Sequence, residues 1–132
     1  MKSQNWLIKE YDYDGQIEFE GEYLNGKRNG KGKDYYWDGE LMFEGEFLNG
    51  KRNGKGKEYD DCQRLEFEGE YLNDKRNGKG KEYYYNGKIK FGFIYNNGER
   101  YNGIGYDLLN KKVYQLKNGK GYLKEYDNEW IF

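Results

Sequence analysis

Histidine, proline, alanine and threonine are absent from this chain, and serine (Ser3) and cysteine (Cys62) occur once each. Zinc sites and imidazole- or thiol-assisted nucleophilic catalysis therefore lack their parts, and Cys62 has no partner for an internal disulfide. No apolar run reaches the length of a membrane-spanning helix, and Met1 is followed by Lys2-Ser3-Gln4-Asn5 rather than by an apolar leader. A cytoplasmic protein is the expectation. Net charge is nearly absent too, with 23 basic against 24 acidic side chains among 132 residues. Such a chain has no long-range field to gather nucleic acid, so none is expected among its partners. Hydrophobic residues make up only 35% and much of that share is tyrosine, which rules out a thick aliphatic core.

What is present is repetition. Phe-Glu-Gly-Glu-Tyr/Phe-Leu-Asn-Gly/Asp-Lys-Arg-Asn-Gly-Lys-Gly-Lys starts at Phe19, Phe43 and Phe67, a period of 24 residues without a gap. A degraded copy begins at Phe91, and a half repeat spans 6–18, where Lys9, Glu10 and Tyr11 stand one period before Lys33, Asp34 and Tyr35. The chain is thus one repeat domain, 1–132, with copies at 19–42, 43–66 and 67–90 and a degenerate cap at 91–132. Periods of this size mean stacked supersecondary units, and such arrays present extended surfaces rather than closed pockets. Catalysis needs a unique site, and repetition argues against one. Gly26-Lys27-Arg28-Asn29-Gly30-Lys31-Gly32 has no Ser or Thr after the lysine and is not a phosphate loop. After Asp12-Tyr13-Asp14-Gly15, Gly21 falls where a calcium loop needs a bidentate Glu. No cofactor or metal is expected.

Within a period, Leu41 to Phe47 alternates as a strand, Asn49-Gly50-Lys51-Arg52-Asn53-Gly54 carries loop chemistry, and Lys55 to Tyr59 is a second strand. Asp38-Gly39 is expected to be a two-residue type I′ turn, as are Asp14-Gly15 and Asn86-Gly87. Pairing across that turn sets Lys33 against Glu44, Gly32 against Gly45 and Lys31 against Glu46; pairing across the longer loop sets Glu20 against Lys33, Gly21 against Gly32 and Glu22 against Lys31. Both turns produce the same rows. One face then carries Glu-Lys ladders such as Glu20, Lys33, Glu44, Lys57, Glu68 and Lys81, each pair worth up to ~1 kcal/mol. The other face carries an aliphatic row (Ile17, Leu41, Leu65, Ile89), a phenylalanine row, a glycine row and the row Tyr23, Phe47, Tyr71. The glycine track lets rings fold over backbone and lets the sheet bend. The expected fold is all-β: a single-layer, twisted antiparallel meander of tandem hairpins, curled and about 45 Å long.

Phe43-Glu44-Gly45-Glu46-Phe47-Leu48-Asn49-Gly50-Lys51-Arg52-Asn53-Gly54-Lys55-Gly56 resembles the MORN repeat, with its aromatic-x-Gly-Glu-aromatic, Asn-Gly-Lys and Gly-x-Gly steps. The resemblance runs from about Trp6 to the C-terminus. Asp34, Glu58 and Glu82 stand where the family commonly has an aromatic, followed by Tyr35, Tyr59 and Tyr83, which is closer to an antitoxin-like bacterial variant. The resemblance implies a non-enzymatic scaffold for protein partners, a dimerisation module or a binder of anionic phospholipid.

Two surfaces are candidates. The aromatic face and groove, with Phe19, Tyr23, Phe43, Phe47, Phe67, Tyr71 and Phe91, is expected to contact a partner protein, since a single sheet has nothing behind its apolar face. Alternatively, Lys27, Arg28, Lys51, Arg52, Lys75 and Arg76, placed on loop tips along one edge, meet acidic lipid and make the chain a peripheral adaptor at a membrane or cytoskeleton. A third reading, from the resemblance, is neutralisation of a toxin. Lys124-Glu125-Tyr126 restores the repeat, and Trp130-Ile131-Phe132 begins another strand. The strand edges there suit a homodimer or end-to-end association.

Overall fold

The computed structural model describes residues 5–125 and 129–131, with side chains from Asn5 to Gly121; Tyr126 and Phe132 of the C-terminal motif lie outside the described residues. Among the described residues all regular structure is antiparallel sheet. The strands are β1 (Trp6–Tyr11), β2 (Ile17–Leu24), β3 (Lys27–Tyr35), β4 (Leu41–Leu48), β5 (Lys51–Tyr59), β6 (Leu65–Leu72), β7 (Lys75–Tyr83), β8 (Ile89–Asn96), β9 (Glu99–Tyr106), β10 (Lys112–Lys117), β11 (Lys120–Glu125) and β12 (Glu129–Ile131). Their spatial order is their chain order, one 12-stranded meander of hairpins.

The central register is the one the rows require. Lys33 pairs with Glu44 and Gly32 with Gly45 across β3 and β4, and Glu20 with Lys33 and Gly21 with Gly32 across β2 and β3. The turns reach it differently than expected. At Tyr36–Glu40, only Gly39 has positive φ (88°), and Gly39 N–H donates to Tyr36 C=O at 2.9 Å. This is a three-residue connection with the αL glycine closing a type I turn, not type I′. Tyr35 pairs with Leu41 next to the turn, and one extra residue, Met42, restores the Lys33–Glu44 register.

The Asn-Gly-Lys-Arg-Asn-Gly loop is shorter than its composition suggests. Asn49 (φ 50°) and Gly50 (φ 86°) alone make a type I′ turn, and Lys51 already belongs to β5. Lys51-Arg52-Asn53-Gly54 is thus strand, which corrects the six-residue loop. Two surplus residues are absorbed by a bulge of three residues against one: in the first repeat Glu22 faces Asn29-Gly30-Lys31, between the Tyr23–Arg28 and Gly21–Gly32 pairs. Gly30 (φ 108°) makes the bend, and the Glu22 carboxylate accepts the Lys31 N–H at 2.6 Å. Gly50 N–H donates to Arg28 C=O, and Gly98 N–H to Arg76 C=O, tying each repeat to the one before.

The core is a zipper of rings. Phe19, Phe43, Phe67 and Phe91 have no exposed surface, and Phe47, Tyr71 and Tyr95 are buried with them. Rings meet edge-to-face across repeats, Phe19–Phe47 at 5.3 Å, Phe43–Tyr71 at 5.2 Å and Phe67–Tyr95 at 5.1 Å between centroids. Each phenylalanine lies flat over the glycine row: a Cβ on Gly32 would stand 2.6 Å from the Phe19 ring. Glycine is needed here for a close approach, and full burial of one such ring contributes about 2–3 kcal/mol.

Candidate functional site

The aromatic face carries its own cover. Arg28, Arg52 and Arg76 lie across the Phe19, Phe43 and Phe67 rings with the guanidinium carbon 3.9, 3.9 and 4.0 Å from the centroid, and Arg100 lies over Phe91 at 5.1 Å. Carboxylates pin them from the sides: Arg28 to Glu10 (2.9 Å) and Asp34 (3.1 Å), Arg52 to Asp34 (3.3 Å), Arg76 to Glu58 (2.7 Å), Arg100 to Glu82 (2.7 Å). The phenols of Tyr23, Tyr71 and Tyr95 donate to Glu10, Glu58 and Glu82. Burial alone would raise the Glu82 pKa, but hydrogen bonds from Arg100 and Tyr95 outweigh it and hold the carboxyl low. A planar cation stacked on a ring and forked onto carboxylates thus supplies the second layer that a lone sheet otherwise lacks.

Both sequence-based surfaces need correcting on this geometry. Phe19, Phe43, Phe47, Phe67, Tyr71 and Phe91 are core of the isolated chain and cannot form a contact surface without unfolding it; Tyr23 is half-buried against the same core. Arg28, Arg52 and Arg76 are not loop-tip cations: they sit in β3, β5 and β7, half-buried on rings and carboxylates. Of the six proposed lipid contacts only Lys27, Lys51 and Lys75 remain exposed. Near an anionic surface these three lysines would contribute up to ~1 kcal/mol each.

The opposite, Glu-Lys face is where space opens. A groove of about 1450 Å³ runs across β1 to β9, floored by backbone of the glycine row and walled by the ladder side chains. At ~4.8 Å per strand it is roughly 38 Å long. The groove lies on the Glu-Lys face and the arginine-covered rings on the other. The groove expected beside the aromatic residues is therefore on the other face.

The ladders do not pair as expected. Among the described residues no salt bridge links a ladder lysine to a ladder glutamate, although they are neighbours in register. The glutamates are engaged elsewhere. Tyr35, Tyr59 and Tyr83 donate their phenol protons to Glu20, Glu44 and Glu68 at 2.5, 2.7 and 2.5 Å, and Glu46 and Glu70 accept the N–H of Lys55 and Lys79. These tyrosines therefore stand on the groove side of the sheet. Burial first, and the acceptor carboxylate second, push all three phenols up to about 12. Seven lysines and five glutamates line the groove. Every one of those glutamates is anchored, whereas the lysine ammoniums have no carboxylate within ion-pair distance. The groove presents an excess of two positive charges.

Asp60, Asp61 and Cys62 bring their ligand atoms within 4.8 Å of one another, the one such group among the described residues. The Asp60 carboxylate already accepts the N–H groups of Cys62 and Arg64 and the Arg64 guanidinium, so it closes the hairpin turn. Among the described residues no helix could cross a membrane. Sequence reasoning missed Phe93, which lines the groove with 59% of its surface exposed. The available signal was its position, since Gly21, Gly45 and Gly69 occupy the same place in the other copies.

With the hairpin meander, the ring zipper over glycine and the tandem register in place, the comparison with known families is decisive: a model described as MORN repeat matches residues 19–37, 43–61 and 67–89. The chain belongs to the MORN repeat family. MORN repeats are generally non-enzymatic scaffolds in protein and membrane interactions. The last match ends at residue 89, and the copy that follows has Gly92 and Phe93 in place of the Glu-Gly of the consensus. Comparison with curated proteins yields no match.

Proposed function

We propose that this MORN-repeat chain is a non-enzymatic cytoplasmic scaffold that holds an elongated segment of a partner protein in the groove of the Glu-Lys face. The observation that carries this reading is the groove itself, about 1450 Å³ of open space along nine strands, on the face whose lysines are unpaired. The other face is filled by its own side chains. An elongated, open groove suits a linear segment better than a small molecule, which needs a pocket that encloses most of its surface.

Site-specific photo-crosslinking tests it. A benzophenone side chain is placed at Lys57 in the groove or at Lys51 on the exposed rim, and irradiated in cells. A discrete protein adduct from position 57 and not from 51 is the expected result. Adducts from 51 alone, or lipid adducts from either position, overturn the reading.

End-to-end association is a second reading. Trp6 and Leu7 of β1 are 67% and 84% exposed, and among the described residues no strand lies against one side of β1. Light scattering across a concentration series reports it directly.

A further inference from the structure

We infer that the β7–β9 end of the groove is an anchoring subsite for an apolar side chain flanked by acidic residues, with Phe93 as its platform and Lys79 and Lys81 as its cations. This rests on the groove reading above and specifies what the groove takes. Three observations converge. First, Phe93 pairs with Gly80 on one side and Gly103 on the other, inside the glycine row. That row has no room for a side chain on the core face, where a Cβ on Gly80 would already stand 2.6 Å from the Phe67 ring. Phe93 is absent from the core cluster and lines the groove instead, at a φ of 153°. Such a backbone conformation is costly for a bulky L-residue, and strain of this kind gathers at binding sites.

Second, the walls change at the same place. Lys31 and Lys33 face Glu46 and Glu44 on the following strand, and Lys55 and Lys57 face Glu70 and Glu68. Lys79 and Lys81 face Ile94 and Gly92. The two cations nearest Phe93 keep Glu68 and Glu70 on the preceding strand but have lost the carboxylates of the following one, so positive potential is less compensated there than in the earlier repeats. Third, Ile89 and Tyr106, like Phe93, line the groove from β8 and β9, which adds apolar surface to this end while Lys79 and Lys81 remain exposed. An exposed aromatic next to unpaired lysines matches a segment carrying one leucine or aromatic residue next to two or more aspartates or glutamates.

The test uses three fluorescein-labelled 12-residue peptides and fluorescence anisotropy at low and physiological salt. One is a Glu-Gly repeat ending in Leu-Glu-Glu, the second has Ser in place of the leucine, and the third has Lys in place of every Glu. The wild-type chain is expected to bind the first peptide roughly tenfold more tightly than the second, as burial of one leucine implies, and not to bind the third. Phe93→Gly, which restores the repeat residue and relieves the positive φ, should remain fully folded and lose the tenfold preference. Lys79→Glu with Lys81→Glu should abolish binding of the first peptide.

Equal binding of the first two peptides, or an unchanged preference in Phe93→Gly, overturns the anchor while leaving groove binding intact. Binding of the basic peptide, or of none of the three, overturns the acidic specificity. The crosslinking pattern at positions 51 and 57 then judges the groove reading separately.

Discussion

Replacing Gly56 by alanine isolates the contact on which the repeat depends. Gly56 lies in β5 between Gly45 and Gly69, at a backbone conformation that alanine can adopt. On conformational grounds alone the change would stabilise by about 0.4–1 kcal/mol, because alanine restricts the unfolded chain. Against this, the new methyl carbon would stand 2.5 Å from two carbons of the Phe43 ring and 3.0 Å from the Tyr71 ring. Phe43 cannot retreat easily: Arg52 covers its outer side at 3.9 Å and Phe47 and Tyr71 meet its edges. Overpacking of this kind costs about 1–3 kcal/mol, and a blocked ring belongs at the upper end. The net expectation is a loss of about 2 kcal/mol, or roughly 6–10 °C in Tm for a chain of this size.

Urea denaturation followed by near-ultraviolet circular dichroism measures the loss, and Phe43→Leu supplies the control. If the ring is the obstacle, Phe43→Leu should cost at least ~1 kcal/mol less in the Gly56→Ala background than in the wild type. Gly56→Ala as stable as the wild type, or strict additivity of the two changes, would refute ring-on-glycine packing as the determinant of this row.

The arginine cover predicts that Arg76→Ala destabilises by about 2–3 kcal/mol in urea, since it bares Phe67 and leaves the Glu58 carboxylate half-buried without its cation. Arg76→Lys, which keeps the charge but not the planar fork, should recover less than half of that; full recovery would show that stacking contributes nothing. Alkaline titration probes the groove-side phenols. Tyr35, Tyr59 and Tyr83 are raised from the ordinary 10.0 to about 12, so the stability linked to them is complete below pH 10 and is lost as pH rises from 10 toward 12. Phenolate absorbance of the wild type minus that of a Tyr35→Phe, Tyr59→Phe, Tyr83→Phe variant, together with urea midpoints across that range, should show late ionisation of these three phenols and falling stability in step. Ionisation at pH 10 with flat stability would contradict it.

The period, the strand pairing and the facial division of side chains were legible because they depend only on spacing: a period of two within strands and of 24 between copies leaves one register in which glycine meets glycine and phenylalanine shares a face. The turns were less legible. Lys51-Arg52-Asn53-Gly54 has loop composition, yet a bulge accommodates its surplus residues and the segment pairs as strand. Asp38-Gly39 has the dipeptide of one turn type and the geometry of another, and the register survived because Met42 bulges to compensate. The candidate site was the least legible part. Exposure cannot be read from an alternating pattern when long side chains fold back, so arginines that read as free cations became the roof over the rings, and rings that read as a contact face became core.

By itself the sequence determined that this is a one-layer repeat with a ring-and-glycine face and a charged face, since hydrophobic periodicity and glycine placement are local properties of the chain. Which face is filled and which stays open was decided only by the tertiary structure. The stacking of Arg28, Arg52 and Arg76 on the phenylalanine of the neighbouring strand, their ion pairs to carboxylates of the preceding repeat, and the turn of Phe93 into the groove arise from contacts between strands. Those contacts close one side with guanidinium groups and leave the lysines of the other facing open space.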